Sequence, residues 1–204
     1  MSENTFPNGQ TLTSSAITVA QANTIFQALL TDILGLTPED ANYSSAVRVA
    51  WQTEGAPAWT IGQDVISFQC VEEDSEYDKI RDRAYSALIG GTQLSVNYEY
   101  TRVWRITLTV RGPNSFDNTR LIRSALLLPW VHDTLAPNSL YLVPRLVSPT
   151  RYPEKFSGQW WEVVHFSFLV NEQVNESIII NTVASVEVIA NNPTGVIFDR
   201  TYEV

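Results

Sequence analysis

The stretch VNYEYTRVWRITLTVRGPNSFDNTRLIRSALLLPW, residues 96–130, decides how the chain reads, because its apolar period changes from two to helical across a Gly-Pro turn. Before the turn, Val96, Tyr98, Tyr100, Trp104, Ile106, Leu108 and Val110 share one parity, and Asn97, Glu99, Thr101, Arg105, Thr107 and Arg111 share the other. That alternation predicts a strand with one buried face. Unbroken, it would extend about 50 Å at roughly 3.3 Å per residue, so either a bulge divides it or its first half projects as a ribbon. After Gly112 and Pro113, Ser115 is placed to cap a helix with Ile122, Ala125 and Leu126 on its buried face, and Pro129 ends it. A strand, a glycine turn and a helix could also cradle phosphate, but that chemistry needs several glycines whose N–H groups converge on the anion. One glycine followed by a proline, which lacks the N–H, fits a structural corner instead.

Working toward the N-terminus, Val19, Ala22, Ile25, Phe26, Leu29, Leu30 and Ile33 recur at three and four residues and predict a helix from Thr18, closed by Gly35. Residues 1–17, rich in Ser, Thr and Asn, read as an arm outside the core. Short strands are expected at residues 47–51 and 64–71. The segment VEEDSEYDKIRDRAYSALIGGTQ, residues 71–93, has no apolar face of either period and reads as a long mobile loop. Toward the C-terminus, a short strand at 140–143 precedes a loop spaced by Pro144, Pro149 and Pro153. QWWEVVHFSFLVN, residues 159–171, carries apolar residues on both parities and predicts a central strand. Further strands are expected in SIIIN and SVEVIAN, and residues 191–204 read as an extended arm. The organisation expected is an arm at 1–17, a single domain at 18–190 with a long loop at 72–95, and an arm at 191–204.

With 204 residues, 44% of them hydrophobic, the chain can bury one sizeable core. A net charge of -9 argues against gripping nucleic acid through its phosphates. No Lys or Arg precedes Arg48 and no apolar run reaches a membrane span, so a soluble, unprocessed chain is expected. One cysteine, Cys70, cannot form an internal disulfide, and with two histidines it makes a poor zinc set.

No catalytic, cofactor or metal site is expected. His132 and His165 lack a G-x-S-x-G elbow to serve, and His165 alternates within a strand. Glu72, Glu73, Asp74, Glu76 and Asp78 lack the ligand order of a calcium loop. Mixed with Lys79, Arg81 and Arg83, they fit a solvated segment or one that docks on a neighbouring subunit. Adjacent Trp160 and Trp161 point to opposite faces of a strand, which lets Trp161 meet a partner while its neighbour enters the core, or the reverse.

Two stretches, YEYTRVWRITLTVRGPNSFDNTRLIRSALLL and YPEKFSGQWWEVVHFSFLVNEQV, resemble the neck terminator, or tail-completion, proteins of tailed bacteriophages. The resemblance spans about residues 98–174; Gly112, Pro113, Ser115 and Phe116 match the turn and helix start, and Trp160 and Trp161 the start of the tryptophan-bearing strand. Glu162 stands where such proteins often carry a basic residue. The resemblance implies an α+β subunit, with a mixed or antiparallel sheet and helices packed on one side. It also implies a structural virion protein at the neck, assembled in the host cytoplasm, whose six copies form a ring. The implied partners are the head connector, the tail tube and a sheath where the tail has one, with DNA passing through the lumen unheld. The acidic segment, Arg81, Arg83 and Trp161 are the contact residues expected. A lectin-like carbohydrate-binding module, stacking sugars on exposed Trp and Tyr, is the alternative.

Overall fold

The computed structural model describes residues 2–7, 10–40, 43–50, 62–87, 93–156, 158–181, 185–192 and 195–203. In chain order the elements are β1 (Ser2–Thr5), β2 (Thr11–Ser14), α1 (Val19–Ile33), α2 (Tyr43–Ala46), β3 (Val47–Val49) and β4 (Val65–Glu73). A 3-10 turn (Glu76–Lys79), β5 (Asp82–Ala87), β6 (Gln93–Arg111), α3 (Ser115–Ala125) and α4 (Pro129–Leu135) follow. A second 3-10 turn (Ala136–Asn138), β7 (Leu140–Leu142), β8 (Thr150–Phe156), β9 (Gln159–Asn181), β10 (Ser185–Asn192) and β11 (Gly195–Glu203) complete the chain.

The α+β class with helices packed on one side of the sheet does not hold: the chain is mostly β, with strand in about half of its residues. β6 and β9 alone take 19 and 23 residues, against 15 for the longest helix. Strands also fall within residues 1–17, 72–95 and 191–204. Their absence from the sequence reading has a physical cause. β1 is exposed throughout and β5 is exposed over residues 82–86, so backbone pairing holds them without a buried face to impose alternation.

The chain divides into two compact units. The larger comprises Ile17–Ile80 and Tyr100–Val174. Its strands run in the order β9-β6-β4-β3, with β7 and β8 also antiparallel to β9. β4 pairs antiparallel with β6, from Val65 opposite Arg111 to Glu73 opposite Val103, and β3 runs parallel to β4. One alternate set of side chains supplies the core: Ile66, Phe68 and Cys70 of β4, Trp104, Ile106, Leu108 and Val110 of β6, and Val164, Phe166, Phe168 and Val170 of β9. The same cluster takes Ala22, Phe26, Leu29 and Leu30 from α1, Ile122 and Ala125 from α3, and Val131 and Leu135 from α4. The opposite side of β9 is half-buried at His165, Ser167 and Leu169.

The start of α1 is closed by a reciprocal cap: Gln21 N–H donates to Thr18 Oγ1 at 3.2 Å, and Thr18 N–H to Gln21 Oε1 at 2.8 Å. Gly35, at φ +66°, ends it, with its N–H on Asp32 O at 3.0 Å. α3 starts one residue differently from expectation. Asn114 is the cap residue and makes no side-chain cap bond, because its amide donates to Asp64 Oδ2 at 2.8 Å; Ser115 is the first helical residue and is buried. α3 ends at Ala125, and Pro129 opens α4 rather than closing α3, a position where its missing N–H costs nothing.

The smaller unit comprises Met1–Ala16, Arg81–Glu99 and Asn175–Val204. In it β1 pairs with β2, β2 with the end of β9 from Ser14 opposite Glu176, and β5 with the start of β6 from Asp82 opposite Glu99. β10 and β11 form an antiparallel pair with a register shift at Ala190/Asn191. β6 therefore changes partner along its length, from β5 to β4, rather than being divided by a bulge in either pairing.

Candidate interaction site

The corner between β6 and α3 is fixed by Asp64, just before β4. Asn114 N–H donates to Asp64 Oδ1 at 2.9 Å, and Asp64 also accepts the Asn114 amide. Gly112 takes φ +115°, and a Cβ there would lie 2.6 Å from the Asp64 Cα and from the Gln63 carbonyl oxygen. Only glycine fits so close to backbone. The turn thus positions Pro113 and Phe116 beside the first residues of β9.

Here the structure joins residues that the sequence named separately. Gly112, Pro113, Phe116, Trp161 and Glu162 line one pocket of about 500 Å³, together with Arg151 of β8. The Arg151 guanidinium lies over the Phe116 ring at 4.8 Å and forms an ion pair with Glu162, which also accepts from Ser115 Oγ at 3.4 Å. Trp160 is 69% exposed, and with Trp161, Tyr152 and Pro153 walls an adjoining cleft. Of the two tryptophans, Trp160 is the exposed one and Trp161 is half-buried.

The acidic segment lies in a second pocket, of about 620 Å³. Glu73, Asp74 and Glu76 rim it, and Tyr77, Ile80, Val103, Val143 and Leu169 supply apolar wall. Its charges are unequally committed. Glu72 accepts from Arg102 at 2.9 Å, and Glu73 accepts from Arg105 Nε at 2.6 Å in a two-point contact. The Arg105 hydrogen bonds hold the Glu73 carboxyl below the ordinary carboxylate range. Asp74 faces Lys79 at 3.7 Å with both side chains largely in water, a pair of little energetic weight. Glu76 has no ion-pair partner among the described residues. Asp78 sits on the same turn, its side chain outside the described ones.

Arg81 and Arg83 belong to the smaller unit. There Arg81 pairs with Glu176 at 3.4 Å, and Arg83 lies over the Tyr98 ring at 5.2 Å while donating to Tyr85 Oη at 3.3 Å.

Sequence reasoning missed Glu172. Only 1% exposed, it accepts from Trp104 Nε1 at 2.7 Å, Arg102 Nε at 2.8 Å and Ile17 N–H at 2.7 Å. Arg102 also donates to the Ile17 carbonyl. A signal existed: Arg102 and Glu172 are charges at core parity, between Tyr100 and Trp104 on β6 and between Val170 and Val174 on β9.

His132 Nδ1 lies 3.4 Å from its neighbour Asp133, both largely exposed. His165 packs edge-on to Tyr152 at 4.4 Å, and its Nε2 is buried without a hydrogen-bond partner. Burial, with the Arg111 charge nearby, pushes its pKa down. Among the described residues no group of three His, Cys, Asp or Glu is placed to hold a metal, and no helix is long and apolar enough to cross a membrane.

The chain belongs to the phage neck terminator protein family, whose model matches residues 20–199. It is therefore a structural protein of the bacteriophage virion, of the neck. No curated protein matches it.

Proposed function

We propose that this chain is the subunit of a closed ring, six-fold in its simplest form, that joins the head connector to the tail tube and, in a contractile tail, meets the sheath. Family membership across residues 20–199 carries the reading. A ring requires two different surfaces on each subunit plus faces for the neighbours above and below. The Trp160–Trp161 cleft and the acidic pocket are suited to such contacts, since exposed aromatic residues beside buried ones anchor interfaces. Residues 1–17 and 191–204 act as arms toward neighbouring proteins. The net charge of -9 suits a lumen through which DNA slides without being held. Assembly takes place in the host cytoplasm, on finished heads and tails.

The experiment is removal of the chain from a phage that encodes it. Filled heads and separate tails should accumulate, and chain supplied in trans should restore joined particles with a labelled ring at the neck. Joined, infectious particles without the chain would overturn the proposal. Glycan binding at Trp160 with no joining defect would favour the carbohydrate-binding reading.

A further inference from the structure

The acidic pocket has a counterpart on the same chain. Leu121 of α3, Leu127 and Leu128 in the turn that follows it, and Trp130 of α4 are large exposed apolar side chains, while Ile122 and Ala125 of α3 are in the core. Single exposed leucines need no explanation, but four large apolar side chains exposed within ten residues do. Arg120 and Arg123 stand among them, and Arg123 Nε donates to Val147 O at 3.1 Å, which brings exposed Arg145 and Val147 alongside. Arg120, Arg123 and Arg145 have no carboxylate partner among the described residues, in a chain with 22 acids to 13 Lys and Arg. The surface is thus apolar with unpaired positive charge.

The pocket is its complement. Tyr77 and Ile80, each 65% exposed, and the half-buried Leu169 offer apolar wall, and Asp74 and Glu76 rim it with negative charge. The two surfaces cannot meet within one subunit. α3 shares its core cluster with even-numbered residues of β6 and β9, such as Leu108 and Phe166, whereas the pocket is walled by odd-numbered Val103, Leu169 and Asn171. Successive strand residues point to opposite faces, so knob and pocket lie on opposite sides of the same strands.

We propose that the α3 surface of one copy docks into the acidic pocket of the next, with Arg120 and Arg123 facing Glu76 and Asp74, and Leu127 and Leu128 against Tyr77 and Ile80. Different surfaces on opposite sides make the contact head-to-tail, the kind that propagates until rotation closes it. The inference rests on the ring reading above and names the subunit contact of that ring.

The test uses particles made with the full chain supplied in trans to a phage lacking it. In Tyr77→Cys/Leu128→Cys, oxidation should link chains into a ladder of two and more copies, whereas each single variant should give none. Native Cys70 does not interfere, being buried with its thiol pushed up to about 12. The charge pair gives a second reading. Arg120→Glu and Glu76→Arg should each lower the yield of joined particles at least tenfold, and the double variant should restore it to within threefold. Particles that contain the chain but show no ladder, a cross-link to a different virion protein, or a double reversal no better than the singles would each overturn this contact and leave the neck reading standing. Joined particles that lack the chain would overturn both.

Discussion

At the scale of single residues, buried Glu172 and half-buried Arg102 join separate elements of the larger unit. Glu172 accepts hydrogen bonds from Arg102, Trp104 and the Ile17 N–H, and so ties β9 to β6 and to the start of α1. Replacing it by leucine removes one of the acceptors of the Arg102 guanidinium and leaves the Trp104 and Ile17 N–H groups without theirs, and should cost about 3 kcal/mol. Arg102→Met/Glu172→Leu should recover part of that, because the only charge it leaves without this partner, on Glu72, is exposed to water. Urea unfolding of the three variants measures both effects. His165 provides a pH dependence. Its folded pKa is lowered by burial and then by Arg111, so folding favours the neutral ring. The stability it contributes is complete above the unfolded value of about 6.5 and is lost as pH falls through the lowered folded value. The melting temperature should drop as pH falls from 7 to 5, and His165→Gln should make that drop shallower.

At the scale of elements, α3 buries one side in the core and leaves the other exposed. Ile122 is fully buried, and aspartate there would place an unpaired carboxylate in the core at a cost of several kcal/mol. Ile122→Asp should therefore give no cooperative thermal transition, whereas Leu121→Asp, one residue away and exposed, should melt within a few degrees of the native chain. Circular dichroism melts separate the two. The alternation of β6 and the three- and four-residue spacing of α1 were legible because each element buries one face, and burial imposes period. β5 was not legible: its residues 82–86 are exposed, and its place beside β6 is set by backbone hydrogen bonds, which leave little mark on the side chains.

At the scale of the whole molecule, a structural role makes a prediction that an enzyme would fail. His132 pairs only weakly with Asp133 in water, and His165 is packed against Tyr152 rather than against a nucleophile. His132→Ala and His165→Ala should each leave the yield of joined, infectious particles within twofold of wild type in the complementation assay. A loss of infectivity with folded protein and normal joining would point to chemistry carried by a histidine. The two clefts, by contrast, should be sensitive to charge and bulk, since fit decides whether a subunit contact forms.

By itself the sequence determined the helix from Thr18, the long strand with the Gly112 corner, the core residues Trp104, Ile106, Leu108 and Val110 of β6 and Ile122 and Ala125 of α3, and, through resemblance, the family. These rest on local patterns of burial and turn geometry, which a linear string records. Only the tertiary structure decided that the chain is mostly β, that Phe116, Arg151, Trp161 and Glu162 meet in one pocket, and that Glu73 is committed to Arg105. It also decided that Glu73, Asp74 and Glu76 rim a pocket with apolar wall, while Asp74 and Glu76 stay exposed to water. Each of these depends on pairing between residues distant in the chain, from Glu73 and Arg105 to Arg102 and Glu172. Such pairing follows from strand order and register, which the period of any one segment does not contain.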